Sequence, residues 1–174
     1  MVTDSPLNTQ KGNQVRALIG GLILCAAAPA CAADYAVITL HVDLDTSADV
    51  AWSKVGSYCD IGKWAKIPCE LSSGTGGVGS VRKLLGGAIV EPLVGATSHS
   101  YTYSQTLGDS TDLDYHGTLA IQPTGAKTAR VNYTLTYDEA RVPAEKRAEK
   151  REELNKRFAS AIQNIKAMAE GRPF

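Results

Sequence analysis

Ala144-Glu-Lys-Arg-Ala-Glu-Lys-Arg-Glu-Glu-Leu-Asn-Lys-Arg-Phe-Ala-Ser-Ala-Ile-Gln-Asn-Ile-Lys-Ala-Met-Ala-Glu170 is the stretch on which the fold turns. It contains neither Gly nor Pro. Leu154, Phe158, Ile162, Ile165 and Ala169 recur at steps of three or four, which puts them on one face of a helix. Glu152 with Lys156 and Glu153 with Arg157 add i,i+4 pairing, and Gly171 and Pro173 end the run. The charged residues from Ala144 to Arg157 read as a solvated helix face. A single long helix with one apolar stripe must bury that stripe against a sheet.

The sheet is legible upstream. Tyr35 to Leu44 alternate, with Ala36, Ile38, Leu40, Val42 and Leu44 on one face and Thr39, His41 and Asp43 on the other. Five further strand-like runs follow at Ser80 to Leu85, Ala88 to Val94, Ser98 to Thr106, Leu113 to Gln122 and Ala129 to Asp138. Turn residues separate them: Gly86-Gly87, Gly108-Asp109-Ser110 and Pro123-Thr124-Gly125. Between the first strand and this meander, Asp45-Thr46-Ser47 caps a helix over Ala48 to Gly56. A second short helix is expected over Asp60 to Lys66, stopped by Pro68. The order is β, two short α, five β, long α, an α+β pattern.

The beginning of the chain reads as an export signal. Lys11 and Arg16 precede an uncharged run from Ala17 to Ala28, and Ala30-Cys31-Ala32 offers small residues at a cleavage site. The apolar run is too short to span a bilayer, so no transmembrane anchor is expected. Lipidation at Cys25 or Cys31 is a weaker reading, because Leu24 and Ala28 fit a lipoprotein signal poorly. Residues 1–32 are thus expected to be a signal peptide and 33–174 the folded domain, periplasmic or secreted. Cys59 and Cys69 remain after cleavage. An even pair in an exported chain usually forms a disulfide; free thiols or a metal site are the alternatives, and two Cys with no nearby His make a poor zinc set. Lys plus Arg total 18 and Asp plus Glu total 18. That balance excludes a basic nucleic-acid binder.

One motif misleads. Gly74-Thr75-Gly76-Gly77-Val78-Gly79 matches GxGxxG, but a strand follows it where a dinucleotide site needs a helix. It reads as a flexible lead-in to the strand at Ser80. No nucleophile triad can be drawn: His41 and His99 have no carboxylate spaced nearby, and Asp114 and His116 would flank Tyr115 on the opposite face of a strand. No cofactor or metal is expected.

Several short pieces, in this order, resemble the START-like superfamily with its Bet v 1 fold. They are Lys63-Trp64-Ala65-Lys66-Ile67-Pro68, Gly77-Val78-Gly79-Ser80-Val81-Arg82, Ile89-Val90-Glu91-Pro92-Leu93, Tyr101-Thr102-Tyr103-Ser104 and Asp114-Tyr115-His116-Gly117-Thr118-Leu119. The nearest branch is the second polyketide cyclase/dehydrase family, over about residues 35 to 170. The resemblance implies a curved seven-stranded antiparallel sheet gripping the C-terminal helix, with a cavity between them. It reaches more distantly to plant abscisic-acid receptors, whose cavity-facing Arg, Glu and Tyr correspond to Arg82, Glu91 and Tyr115. Asp114 and Gly117 depart from that pattern, where those receptors carry Asn and a hydroxyl residue, and Pro92 replaces a common Arg.

With Arg82, Glu91 and Tyr115 inward, strand parity adds Leu84, Ile89, Leu93, Tyr101, Tyr103, Gln105, Leu113, Leu119, Ile121, Val131, Tyr133, Leu135 and Tyr137. The opposite parity is mostly polar. Phe158 and Ile162 supply the helix wall; Trp64 and Lys66 complete the expected ligand-facing set, although a Trp beside a small cysteine loop also reads as packing. Three functions follow. The first is an exported protein that binds a small hydrophobic or aromatic molecule, with Arg82 meeting its oxygen. The second is a cyclase, dehydratase or lyase, with Glu91, Arg82 and Tyr115 as candidate catalytic groups. Arg82 is expected to lower the Glu91 pKa, which favours binding over catalysis. The third is an accessory protein with a periplasmic dehydrogenase as partner.

Overall fold

The computed structural model describes Met1 and residues 34–174; the signal peptide expected over 1–32 lies outside the described residues beyond Met1. The elements run β1 (Tyr35–Leu44), α1 (Ala48–Val55), α2 (Ile61–Trp64), β2 (Cys69–Ser73), β3 (Val81–Leu84), β4 (Ile89–Thr97), β5 (Ser100–Ser104), β6 (His116–Gly125), β7 (Thr128–Asp138) and α3 (Arg147–Glu170). The strands form one antiparallel sheet in the order β1-β7-β6-β5-β4-β3-β2, and α3 lies on its inner face, the expected helix-grip architecture. The stripe of α3 is buried as its periodicity requires, with Leu154, Ile162, Ile165 and Ala169 in the core and Phe158 half-buried. Each large side chain so buried contributes about 1.5–3 kcal/mol. Gly171 adopts a left-handed conformation at the helix end (φ 71°), which only Gly takes without strain.

Strand parity is obeyed on β3, β5 and most of β7, while β2 is exposed on both faces. On β7, Val131, Tyr133, Leu135 and Tyr137 are buried and the residues between them face out; the terminal Asp138 is also buried. Register shifts at Leu93/Gly95 and Pro123/Gly125 bulge the sheet and bend it around the helix. Ser47 caps α1 by accepting from the Val50 amide.

Three expectations change. The seventh strand that the resemblance implies is β2, Cys69–Ser73, in a stretch where the residue pattern itself shows none. The glycines are the ordered loop of the β2–β3 hairpin: the Gly76 amide donates to Ser80 Oγ at 2.8 Å, and a Cβ on Gly74 would lie 2.3 Å from that oxygen. Asp114 is not in a strand; it adopts a left-handed conformation (φ 49°) before β6 and accepts from Tyr35 Oη. His99 does find a carboxylate, Asp49 of α1, at 2.7 Å, a contact across the fold that local spacing does not reveal.

Cys59 and Cys69 form a disulfide that joins the α1–α2 connection to the start of β2. Among the described residues no helix is long and apolar enough to cross a membrane. Replacing both cysteines by Ala should cost about 3 kcal/mol by loop-closure entropy, read as an earlier midpoint in urea unfolding. A midpoint that does not move would mean that packing alone holds this loop.

Candidate functional site

The centre of the site is a buried ion pair. Arg82 of β3 and Glu91 of β4 are register partners, so their inward side chains meet directly. Arg82 Nε and Nη2 both reach Glu91 Oε2, at 2.8 and 2.7 Å. Arg82 Nη1 donates to the Tyr58 carbonyl at 2.7 Å. The guanidinium is stacked between the rings of Tyr58 and Tyr103, 4.3 and 4.6 Å from their centroids. Tyr58 Oη closes the cluster by donating to the Glu91 carbonyl at 2.9 Å.

Glu91 Oε1 is left free of the guanidinium, with Gln105 alongside as a further donor. Burial pushes the Glu91 carboxyl above the ordinary range, and the charge and hydrogen bond of Arg82 only partly pull it back. The expected lowering by Arg82 is therefore real but outweighed. Gln105 is itself held, accepting from the Ser110 amide at 2.8 Å.

A cavity of about 380 Å³ lies between the sheet and α3. Glu91, Tyr103, Gln105 and Tyr115 form its polar side. Ile61, Trp64, Ile67, Leu84, Ile89 and Phe158 form its apolar side. Asp109 and Arg157, paired at 2.8 Å and both partly exposed, stand at its mouth. Tyr103 Oη and Tyr133 Oη share a hydrogen bond of 2.9 Å. Gly117 allows this: a Cβ there would lie 2.3 Å from the Tyr103 ring. A hydroxyl residue cannot replace Gly117 while Tyr103 keeps this position.

Of the residues expected to face a ligand, Trp64, Glu91, Tyr103, Tyr115 and Phe158 line the cavity. Arg82 does not: it is fully buried behind Glu91, its guanidinium committed to that carboxylate and to Tyr58. Tyr101 has the right parity but lies where α1 covers the sheet, against Trp52 and Tyr58. Tyr133 is screened by Trp64 and Phe158, at 6.0 and 4.8 Å between ring centres. Ile162 packs in the core behind the wall. Lys66 is remote: its left-handed backbone (φ 55°) leads its side chain out to the Phe174 carbonyl, 2.8 Å away. Sequence reasoning missed Tyr58, whose one signal is its place next to Cys59, and Arg157, read as a surface charge although it adjoins Phe158 on the helix stripe. Among the described residues no cluster of three His, Cys, Asp or Glu side chains gathers to hold a metal.

A helix-grip fold with a partly open, mostly apolar cavity is a common setting for small-molecule binding. The family described as polyketide cyclase / dehydrase and lipid transport matches residues 35–170, and the chain belongs to it. Among solved structures, XoxI from Bacillus cereus is similar, at 21% identity and TM-score 0.62 over 75% of this chain and 93% of that one. A Thermobifida fusca protein has TM-score 0.64 at 18% identity, covering 76% and 92%. Norcoclaurine synthase from Thalictrum flavum, in complex with dopamine and hydroxybenzaldehyde, has TM-score 0.59 at 20% identity, covering 81% and 90%. Among curated proteins, none matches the sequence.

Arg82→Met strands a buried carboxylate and should cost about 3–5 kcal/mol in urea unfolding, whereas Arg82→Met with Glu91→Leu should recover most of that loss. Equal losses in the single and double variants would mean that the pair is not coupled. A second expectation concerns alkaline pH. Burial raises the phenols of Tyr58, Tyr101, Tyr103, Tyr115 and Tyr133. The unfolded chain then loses phenolic protons first, so the stability is complete below about pH 10 and falls as pH rises toward the folded-state values. Tyrosinate absorbance from these residues should appear together with unfolding, whereas exposed Tyr35 ionises in the folded state.

Proposed function

We propose that this is an exported protein that binds a small, largely apolar or aromatic molecule between the sheet and α3. The observation that carries the reading is the cavity itself, about 380 Å³, with apolar walls and one polar side made by Glu91, Tyr103, Gln105 and Tyr115. Few, fixed polar groups among apolar ones orient a ligand without making the cavity costly to dehydrate. Arg82 acts indirectly, holding Glu91 in position. The norcoclaurine synthase complex, with two small aromatic molecules, is consistent with such a ligand. The disulfide is compatible with an extracellular protein, and the signal-like run over residues 1–32 supports export through the periplasm.

One observation favours catalysis as a second reading. Glu91 faces the cavity with its pKa raised by burial, as a general acid or base near neutral pH requires. An accessory role has less behind it. The charges at the start of α3 are met locally, Lys146 with Glu149, Lys150 with Glu153 and Lys156 with Glu152, as a solvated face would be.

Native mass spectrometry of the protein isolated from its own periplasm should find a small molecule retained one to one. Ala161→Phe, which fills the cavity from α3, should lose it while keeping the circular dichroism of the parent. A parent protein that is always empty, together with no binding of small aromatic probes, would sink the binding reading. Turnover of a retained molecule that Glu91→Gln abolishes would establish the catalytic one.

A further inference from the structure

Three polar groups stand in a row on the strand side of the cavity. Glu91 lies on β4. The pairing of Leu93 with Tyr103 brings Gln105, just past β5, beside it. The Gln105 amide donates to the Tyr115 carbonyl at 3.0 Å, so Tyr115, just before β6, comes next. All three line the cavity and keep some accessible surface, 4% for Glu91 and Tyr115 and 8% for Gln105. Their hydrogen-bonding capacity is only partly spent. Arg82 Nε and Nη2 both go to Glu91 Oε2, which leaves Oε1. Gln105 Oε1 accepts from the Ser110 amide, which leaves the Nε2 donors. Tyr115 Oη and Glu91 Oε1 have no hydrogen-bond partner among the described residues, and neither is one of the unpaired polar atoms sealed from solvent.

The row has a fixed pattern: an acceptor on Glu91, donors on Gln105, and on Tyr115 a phenol that can serve either way. Charge narrows what can answer it. Arg82 already balances Glu91, so an ammonium group would bring an unpaired charge into the interior. A carboxylate or phosphate would face the free oxygen of Glu91. We infer that this row recognises an uncharged group with a hydrogen donor beside an acceptor, such as a carboxamide or a hydroxy ketone, the donor meeting Glu91 Oε1 and the acceptor meeting Gln105 or Tyr115. This rests on the reading of the cavity as a ligand site and adds a polarity to it. An open Arg82 would choose a ligand for an oxygen acceptor. With Arg82 spent, Glu91 chooses it for an N–H or O–H: of two ligands of equal shape and equal carbonyl, the protein selects the one that can donate.

Two probes of nearly equal shape separate the possibilities: 2-naphthamide, and 2-acetylnaphthalene, in which a methyl group replaces the amide nitrogen and the carbonyl is kept. Their affinities are measured by titration calorimetry on the parent protein and on the double variant Arg82→Met with Glu91→Leu, which removes the acceptor together with the charge that balances it. The ratio of amide to ketone affinity should be about tenfold higher in the parent than in the double variant. A ratio that is the same in both proteins, or a parent that binds the ketone alone, would overturn the donor requirement and leave the cavity reading standing. A parent that binds neither probe would take down the cavity reading and this inference with it. If the double variant does not fold, the unmodified protein decides. With nitrogen-15 in the naphthamide, one of its two N–H protons should move downfield on binding, as in a hydrogen bond to a carboxylate. Both protons staying at their free positions with the amide bound means that Glu91 does not meet the ligand.

Discussion

The guanidinium of Arg82 has no exposure to solvent, and much of the structure serves to make that tolerable. A charge taken out of water costs several kcal/mol, and one partner rarely repays it. Arg82 therefore has three kinds. Glu91 supplies the opposite charge from the register-paired position on the next strand. The Tyr58 carbonyl supplies a neutral acceptor, and the rings of Tyr58 and Tyr103 supply π faces. These partners come from β4, β5 and the α1–α2 connection, so with its own strand β3 one buried charge ties four parts of the chain together. The disulfide at the neighbouring Cys59 holds that connection against β2, so that the Tyr58 carbonyl stays in place.

This use of Arg82 changes what the cavity presents. An arginine open to the cavity would select anions. Here its charge is consumed, and the cavity sees only the far side of Glu91, raised in pKa by burial, with Gln105 alongside. The cavity lining is close to neutral, with Glu91, Gln105 and the phenols of Tyr103 and Tyr115 among apolar side chains. Charge appears again only at the mouth, in the Asp109–Arg157 pair. Such a cavity favours a neutral, weakly polar molecule over a salt of the same size.

The helix and most strands were legible because burial on one side writes a period into the chain: 3.6 in α3 and 2 in β1, β6 and β7. β2 was not legible, because Cys69–Ser73 is an edge strand, largely exposed on both faces, and carries no alternation. The same logic sorts the site residues. Parity says which side chains point inward and not what they meet there. It grouped Tyr101 with Tyr103, although α1 covers the first and the cavity receives the second. Lys66 followed the motif around it, but its own left-handed backbone sets its direction. Arg157 looked like a surface charge because its helical partner Glu153 is visible in the sequence, while Asp109, 48 positions away, is not.

The two ends of the cavity are built with different stiffness. The polar end stands on strands. Glu91 is locked by Arg82, and Tyr103 lies over Gly117 and against Tyr133. Moving any of these groups disturbs a packed ring or a buried charge, so they are held ready for a ligand at little further entropic cost. The apolar end stands on α2, a four-residue helix, and on the segment up to Pro68. The disulfide and Asn164 tie it to β2 and α3. Under the proposed binding function, recognition would divide accordingly: the sheet would set where a ligand's polar group sits, and the stapled α2 segment how far its apolar body extends.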